Sequence, residues 1–233
     1  MNKTRNRFLF YFLPRPILLT FNYINIRILV SESSLGGWYN LDTKTKILEC
    51  VIKESKNSSI SKISTIGVSK AAGTSESNIY KIFKTKENLL AETFLYIDSK
   101  AAKAVSIDYS DVDLSSHDKM TSLVYRVWRK YFDFFVKNTS YVNYYSQFIT
   151  DNKLYKDDLK KKRSDNYVKL HKLIDFVKAE INNYSGINFD FFFLIMQDTT
   201  LSICRRIATK DLELTDENVL YSFHLIFDSV LNY

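Results

Sequence analysis

Residues 64–83 read STIGVSKAAGTSESNIYKIF, and no other segment indicates the architecture as sharply. Ser64 or Thr65 can cap a short helix, because their hydroxyls accept a bond from a free N–H of the first turn. Gly73 can end that helix, since glycine readily takes the left-handed conformation. Ser75 can then cap a second short helix. The segment therefore predicts two short helices joined by a tight turn, which is the pattern of a helix-turn-helix.

The second of these helices has an apolar inner side, formed by Ile79 and Phe83, and a polar outer side. Hydrogen-bonding groups bordered by cations are what base edges and phosphates require. The candidate DNA-binding residues are Ser64, Thr65, Ser75, Glu76, Ser77, Asn78, Tyr80, Lys81, Lys84 and Lys86. From the residues alone, an ordinary three-helix bundle with a solvated polar face remains an alternative.

Further helices are predicted on both sides of the segment. Asp42 or Thr43 can cap a helix whose apolar residues recur at spacings of three and four, and a polar loop follows at 56–59. Thr85 can cap another helix after Phe83. Only 5 Gly and 2 Pro occur in 233 residues, which favours helices with short connections throughout.

Residues 43–94 resemble the N-terminal domain of the TetR/AcrR family of transcription regulators. The match covers about fifty residues, and it is carried by Ile47-Leu48, Val68, Ala72-Gly73, Ser75, Ile79-Tyr80, Phe83, Lys86 and Leu89-Leu90. Three positions depart from the family pattern. Ser69 stands where alanine is usual, Thr74 stands where valine is usual, and Gly67 interrupts the first short helix. These departures indicate a slightly softer module of the same fold.

The resemblance implies roles for the polar residues. Tyr80 and Lys86 would contact phosphates, and the N-terminus of the first short helix would present backbone N–H groups to another phosphate. The positions that would face bases are Glu76, Ser77, Asn78 and Lys81. Asn78 suits adenine and Lys81 suits guanine. Glu76 would accept from a cytosine amino group or, as we prefer, serve only as an acid favoured at a helix start.

The remaining chain is predicted to be helical. Helices are expected from Ser115 or Ser116 to about 137, at 141–149, at 154–181, at 189–209 and at 216–231, with a turn at 182–186. The predicted fold is all-α, with about nine helices. A helix-turn-helix DNA-binding domain would span 41–90, and a helical effector-binding and dimerisation domain would span 91–233.

Two sets of apolar residues in this second domain are assigned by analogy with the resembled family. A pocket for a small apolar or aromatic effector would be lined by Trp128, Tyr131, Phe132, Phe135, Tyr145, Phe148 and Phe193. For any one of these residues, a place in the core is the simpler expectation. A homodimer interface would be formed by Phe192, Ile195, Ile203, Ile207, Phe223, Phe227 and Val230. Burial of this set within one subunit is the alternative.

Charge is distributed unevenly. Residues 1–40 hold five basic groups and one acid, residues 41–90 hold nine lysines and five acids, and residues 91–233 hold nineteen basic and twenty acidic groups. A basic segment ahead of a near-neutral one suggests a polyanion-binding module, although small imbalances of this kind are common. The cationic run at 160–163 lies beside Asp157, Asp158 and Asp165, and we interpret it as a solvated face.

Catalysis and metal binding find no support in the sequence. Cys50 and Cys204 are isolated and the three histidines are scattered, so neither a zinc site nor a disulfide framework is indicated. Phosphate-binding loops and hydrolase or protease motifs are missing, and no cofactor is expected. Two free thiols suit a reducing cytoplasm. The rival to a DNA-binding regulator is a helical protein of the same shape that acts by binding another protein.

Residues 1–40 differ from the rest of the chain. A basic start precedes an apolar run at 8–13, but Pro14-Arg15-Pro16 ends that run before it could serve as a signal peptide or membrane span. We interpret the segment as an irregular extension that is not part of the working protein. Gly36-Gly37 can be encoded by a ribosome-binding sequence and Leu41 by an alternative start codon. A genuine membrane-associating or DNA-contacting arm is the other interpretation.

Overall fold

The computed structural model describes residues 43–56, 58–106, 116–151, 153–180 and 187–231. Several predictions from the sequence lie outside these ranges: the 1–40 extension, the start at Leu41, the cap at Asp42 and the turn at 182–186. The helices that are described belong to one compact unit, Asn40–Tyr233.

The described ranges contain helices and no β-strand, as the sequence predicts. The ten α-helices are α1 (Thr43–Glu54), α2 (Thr65–Ala72), α3 (Glu76–Phe83), α4 (Lys86–Val105), α5 (His117–Lys137), α6 (Thr139–Ile149), α7 (Asp157–Asn166), α8 (His171–Glu180), α9 (Phe189–Ala208) and α10 (Asp216–Leu231). Short 3₁₀ turns occur at Ile60–Lys62 and Val168–Leu170.

Local chemistry places the helix starts. Ser64, Ser75, Thr85 and Ser116 each accept a hydrogen bond from the backbone N–H three residues later, which satisfies a donor that the helix leaves free. Asn188 does the same for α9. Serine, threonine and asparagine are the residues from which helix starts can be read in a sequence, so most of these boundaries were predictable.

One predicted helix, 154–181, is divided into α7, a 3₁₀ turn and α8. The break falls at Tyr167, where the backbone tightens to i→i−3 bonds, from Tyr167 N to Ser164 O and from Leu170 N to Tyr167 O. The Tyr167 hydroxyl is directed to a buried carboxylate on α4. Because this attraction comes from another helix, the local pattern of apolar residues did not reveal the break.

Helix α4 is the central element. It begins next to the helix-turn-helix and contacts α1, α3, α5, α6 and α7. Its buried residues include Leu89, Phe94 and Ile97, which are fully buried. The Phe94 ring stacks on Phe148 of α6 at 4.6 Å between centroids. Helix α4 therefore connects the N-terminal helices to the rest of the chain.

Candidate nucleic-acid interface

Helices α2 and α3 form a helix-turn-helix around Gly73. Gly73 has φ 66° and ψ 37°, a left-handed conformation, and its N–H continues the last turn of α2. Thr74 N donates to Ser69 O at 3.0 Å, and Ser75 begins α3 as its N-cap. Val68 and Ile79 are buried where the two helices meet. The turn and the apolar contact together fix the angle of α3.

The outer face of α3 is exposed. Ser77 and Lys81 are exposed, and Tyr80 retains 41 % of its surface. Lys84 follows at the C-terminal end of the helix, also exposed, and its ammonium donates to Lys81 O at 3.1 Å. The structure thus places a hydroxyl, a phenol and two ammonium groups on one accessible surface, which is the donor set that base edges and phosphates accept.

Glu76 and Thr65 are engaged with each other. The Thr65 hydroxyl donates to the Glu76 carboxylate, and it lies 3.5 Å from the Tyr80 hydroxyl. Thr65 is also buried. The Glu76 side chain therefore ties the start of α2 to the start of α3, in addition to being an acid in the first turn of α3. Thr65 can offer an approaching phosphate its backbone N–H, but its hydroxyl is already used.

Asn78 is half-buried, and its side chain is also engaged. Its amide nitrogen donates to the Thr74 hydroxyl at 2.8 Å. Bidentate recognition of adenine uses both the oxygen and the nitrogen of the amide. Contact with adenine would require this internal bond to break, so the exposed Lys81 is better placed to reach bases.

The remaining predicted contacts lie at the edges of the motif. Ser64 and Ser75 are exposed but serve as N-caps, and Ser75 also bonds Ser77 at 2.9 Å. Lys86, at the start of α4, is half-buried and donates to Ser61 O at 2.9 Å. Its ammonium therefore joins α4 to the turn before α2.

The predicted effector residues lie in the body of the chain, where they pack against one another. Trp128, Phe132, Phe135, Tyr145 and Phe148 are buried. The ring centroids of Trp128 and Phe132 are 5.1 Å apart, and those of Phe135 and Tyr145 are also 5.1 Å apart. The outlying members, Tyr131 and Phe193, are partly buried against the same core. These residues form an aromatic core with contacts typical of stacked and edge-on rings.

The predicted dimer residues divide into two groups. Phe192, Phe223, Phe227 and Val230 are buried within the single chain, because α9 and α10 pack against each other and against α5, where the Trp128 ring contacts those of Phe223 and Phe227. Ile195 is 47 % exposed, and Ile203 and Ile207 are partly buried. Burial within the chain leaves the first group little surface for a partner. The exposed apolar residues of these helices are Phe191, Leu194, Ile195, Leu220, Tyr221 and Leu225.

A buried polar cluster was not foreseen from the sequence. Asp98 on α4 is fully buried, and its carboxylate accepts from Tyr145 Oη at 2.6 Å and Arg163 Nε at 3.1 Å. Asn166 Nδ2 at 2.9 Å and Tyr167 Oη at 3.1 Å complete its set of donors. The feature of the sequence that could have indicated this cluster is Asp98 itself. It is a carboxylate within the apolar stripe of α4, and a buried charge needs a partner.

Arg163 extends the cluster from α4, α6 and α7 to α9 and, through Gln197, to α5. Its Nη1 donates to Tyr155 Oη at 3.1 Å and to Gln197 Oε1 at 3.3 Å, and Gln197 in turn donates to Tyr131 Oη at 3.3 Å. The interpretation of 160–163 as a solvated face is correct for the three exposed lysines and wrong for Arg163. The arginine is drawn inward because its charge compensates the buried Asp98.

Burial governs the protonation of this cluster. It raises the pKa of Tyr131 to about 12 and holds the pKa of Tyr145 well above its usual range. Burial alone would lower the pKa of the Arg163 guanidinium, but the neighbouring Tyr145 and Asp98 hold it well above its usual range. Both phenols therefore remain neutral, so Tyr145 can donate to Asp98, and Arg163 remains charged.

Neither a metal site nor a membrane-spanning helix is found among the described residues. Among them, no group of three or more His, Cys, Asp or Glu side chains is placed to hold a metal ion. None of the described helices combines the length and apolar character that crossing a bilayer demands.

Comparison with known proteins establishes the fold. No family model and no curated protein sequence match the chain. A TetR family transcription regulator from Marinobacter aquaeolei VT8 is similar, with a TM-score of 0.66 and 20 % identity over 81 % of this chain and 95 % of that one. A putative TetR family regulator from Vibrio parahaemolyticus has a TM-score of 0.60 and 14 % identity, covering 82 % and 100 % of the two chains.

FadR from Bacillus subtilis, solved in complex with stearoyl-CoA, is also similar. Its TM-score is 0.53 and its identity 14 %, over 80 % of this chain and 97 % of FadR. At these identities the likeness concerns the fold, and it extends over nearly the whole length of the neighbours. The resemblance noted at residues 43–94 is confirmed at that level.

Proposed function

The chain has the fold of the TetR-family transcription regulators, and we propose that it is itself a sequence-specific DNA-binding regulator of transcription. It would act in the cytoplasm as a homodimer that represses from a palindromic operator until a small apolar or aromatic effector releases it. The DNA-binding role is assigned to residues 41–90, and the effector-binding and dimerisation roles to 91–233.

The observation that carries the proposal is the exposed polar face of α3. The inner side of this helix is buried through Ile79 and Phe83, whereas Ser77 and Lys81 are exposed on its outer side. A helix held by its apolar side after a tight turn is the arrangement that enters a major groove. This cationic polar surface favours a polyanion such as DNA as the partner.

Dimerisation would make this contact specific. One helix in one groove binds weakly, whereas two helices related by a two-fold axis read half-sites roughly 34–36 Å apart. The exposed apolar side chains of α9 and α10 support this role, because apolar patches on a surface helix favour burial against a partner.

The aromatic core supports an apolar or aromatic effector. FadR of Bacillus subtilis was solved with stearoyl-CoA, a ligand with a long apolar chain. In our chain, Trp128, Phe135 and Phe148 would face such a ligand after rearrangement. An effector releases DNA only to the extent that it binds the released conformation more tightly than the DNA-bound one.

The decisive experiment selects genomic fragments that bind the purified full chain, and then measures affinity for the enriched duplex as a function of salt. Each neutralised phosphate should contribute roughly −0.9 to the log–log slope. Enrichment of a palindrome with a steep slope supports the proposal. A flat salt profile and no enriched fragment would reject it and favour the protein-binding alternative.

A further inference from the structure

Helix α7 is attached to the body mainly through polar groups. Of its ten residues, only Leu159 is a buried apolar side chain. Seven of the others are exposed, including Lys160, Lys161 and Lys162. The side chains of Arg163 and Asn166 point inward to Asp98 of α4. By contrast, α4 buries nine residues, most of them apolar. The position of α7 therefore depends on the Asp98 cluster more than on apolar packing.

The same segment covers aromatic rings. The Arg163 guanidinium carbon lies 5.9 Å from the ring centroids of both Tyr145 and Phe193. Tyr155, just before α7, contacts Phe94 with 5.5 Å between ring centroids, and its hydroxyl accepts a bond from Arg163. Movement of α7 away from α4 would consequently uncover part of the aromatic core.

We propose that residues 157–170 form a strap over the aromatic core, and that the bonds from the strap to Asp98 are its latch. The strap comprises α7 and the 3₁₀ turn that follows it. Opening of the latch gives an apolar or aromatic ligand access to the rings of Tyr145 and Phe193. The identification of this ligand with an effector rests on the proposed function, whereas the opening of the strap does not.

The physical basis is the cost of leaving Asp98 buried without partners. Arg163, Asn166 and Tyr167 all belong to the strap, and they supply three of the four bonds that the carboxylate accepts. The fourth comes from Tyr145 on α6. These bonds hold the strap closed, because opening it would leave the buried carboxylate without most of its partners, which is strongly disfavoured. When a substitution removes the charge of Asp98, the few apolar contacts of α7 hold the strap only weakly.

The test is hydrogen exchange of the full chain, followed peptide by peptide, in the wild type and in Asp98→Asn. We expect the amides of residues 157–170 to exchange about tenfold faster or more in the variant, while those of α1 and α2 keep their wild-type rates. Asp133→Asn is the matched control, because it removes a carboxylate that pairs with Arg129 at 2.9 Å with both side chains about a third exposed. It should leave exchange of the strap unchanged.

A second readout uses 1-anilinonaphthalene-8-sulfonate, a dye that fluoresces on exposed apolar clusters. Asp98→Asn should bind more of this dye than the wild type, and Asp133→Asn should not. If Asp98→Asn does not fold, Tyr167→Phe takes its place. This variant removes one strap donor without changing charge, and it should show a smaller increase in exchange and in dye binding.

The proposal is overturned if residues 157–170 exchange only together with α4 in every variant, or if dye binding is equal in all of them. Neither measurement involves DNA. Failure to find an operator would therefore refute the proposed function without affecting the strap proposal. Exchange of the strap only together with α4 would refute the strap proposal alone.

Discussion

Gly67 and Gly73 lie six residues apart in the helix-turn-helix but differ in backbone conformation. Gly73 has φ 66°, a conformation that costs an L-residue roughly 1–2 kcal/mol. Gly67 lies inside α2, and a Cβ added there would meet only Ser64 Cβ, at the ordinary contact distance of 3.7 Å. Of the two positions, only 73 requires glycine.

Gly67→Ala should therefore raise the free energy of unfolding by up to about 1 kcal/mol, because alanine loses less backbone entropy in a helix. Gly73→Ala should lower it by a similar amount or more. Urea denaturation followed by circular dichroism measures both changes. Two changes of the same sign would contradict this assignment.

Lys81 and Lys86 differ in what they are placed to contact. Lys81 is exposed on α3, whereas Lys86 is half-buried at the start of α4 beside Ser61 O. Lys81→Ala should reduce discrimination between the operator and a mutated operator by about 1–3 kcal/mol. Lys86→Ala should weaken binding to every duplex alike and reduce the salt slope by about one.

Binding titrations over several duplexes separate these two effects. Lys137→Ala, at the exposed end of α5, is the matched control and should change neither quantity. Equal losses on all sequences for Lys81→Ala would show that this lysine contacts phosphate and reads no base.

At the scale of elements, α6 joins the N-terminal helices to the body. Glu49 of α1 accepts from Tyr96 of α4 and from Tyr141 of α6, both at 2.6 Å. Gln147 of α6 accepts from Ile60 N, in the turn before α2, at 3.1 Å. Burial and the Glu49 carboxylate raise the pKa of Tyr141 above its usual range, so its hydroxyl remains a donor. These bonds hold α1 and the helix-turn-helix in one orientation.

Glu49→Gln should lower the free energy of unfolding by about 1–3 kcal/mol, because two bonds to a charged acceptor are weakened. Operator affinity should fall with no change in salt slope, since no phosphate contact is altered. Thermal denaturation and binding titrations measure the two effects.

Glu92→Gln is the matched control for this variant. It breaks another bond between α1 and α4, the Lys44–Glu92 ion pair at 3.1 Å, but both side chains are about half exposed. Its cost should stay below about 1 kcal/mol. Equal losses from the two substitutions would show that the Glu49 cluster has no special part in holding α1.

At the scale of the whole molecule, α9 and α10 expose the apolar surface that would form the dimer. Leu225 is 75 % exposed and Tyr221 61 % exposed, and both line an open groove of about 520 Å³ with Ile203. A two-fold interface uses the same patch twice, so one substitution acts on both subunits.

Leu225→Glu should weaken the dimer about tenfold or more, because burying two unpaired carboxylates in an apolar interface is costly. Operator affinity should fall with it. Sedimentation velocity measures the association state. Val168→Glu, at a position 62 % exposed in the turn after α7, is the control and should leave the dimer intact. A Leu225→Glu variant as dimeric as the wild type would place the interface elsewhere.

The sequence by itself determined the helices and the helix-turn-helix, because caps such as Ser75, the turn at Gly73 and the spacing of apolar residues act within a few positions of the chain. Tertiary structure alone decided which of these side chains are free. Thr65 is engaged with Glu76, eleven positions away on the next helix, and Asp98 draws in Arg163 from 65 positions away. Contacts between residues so distant along the chain depend on how the helices pack, and the local spacing of apolar residues does not predict them.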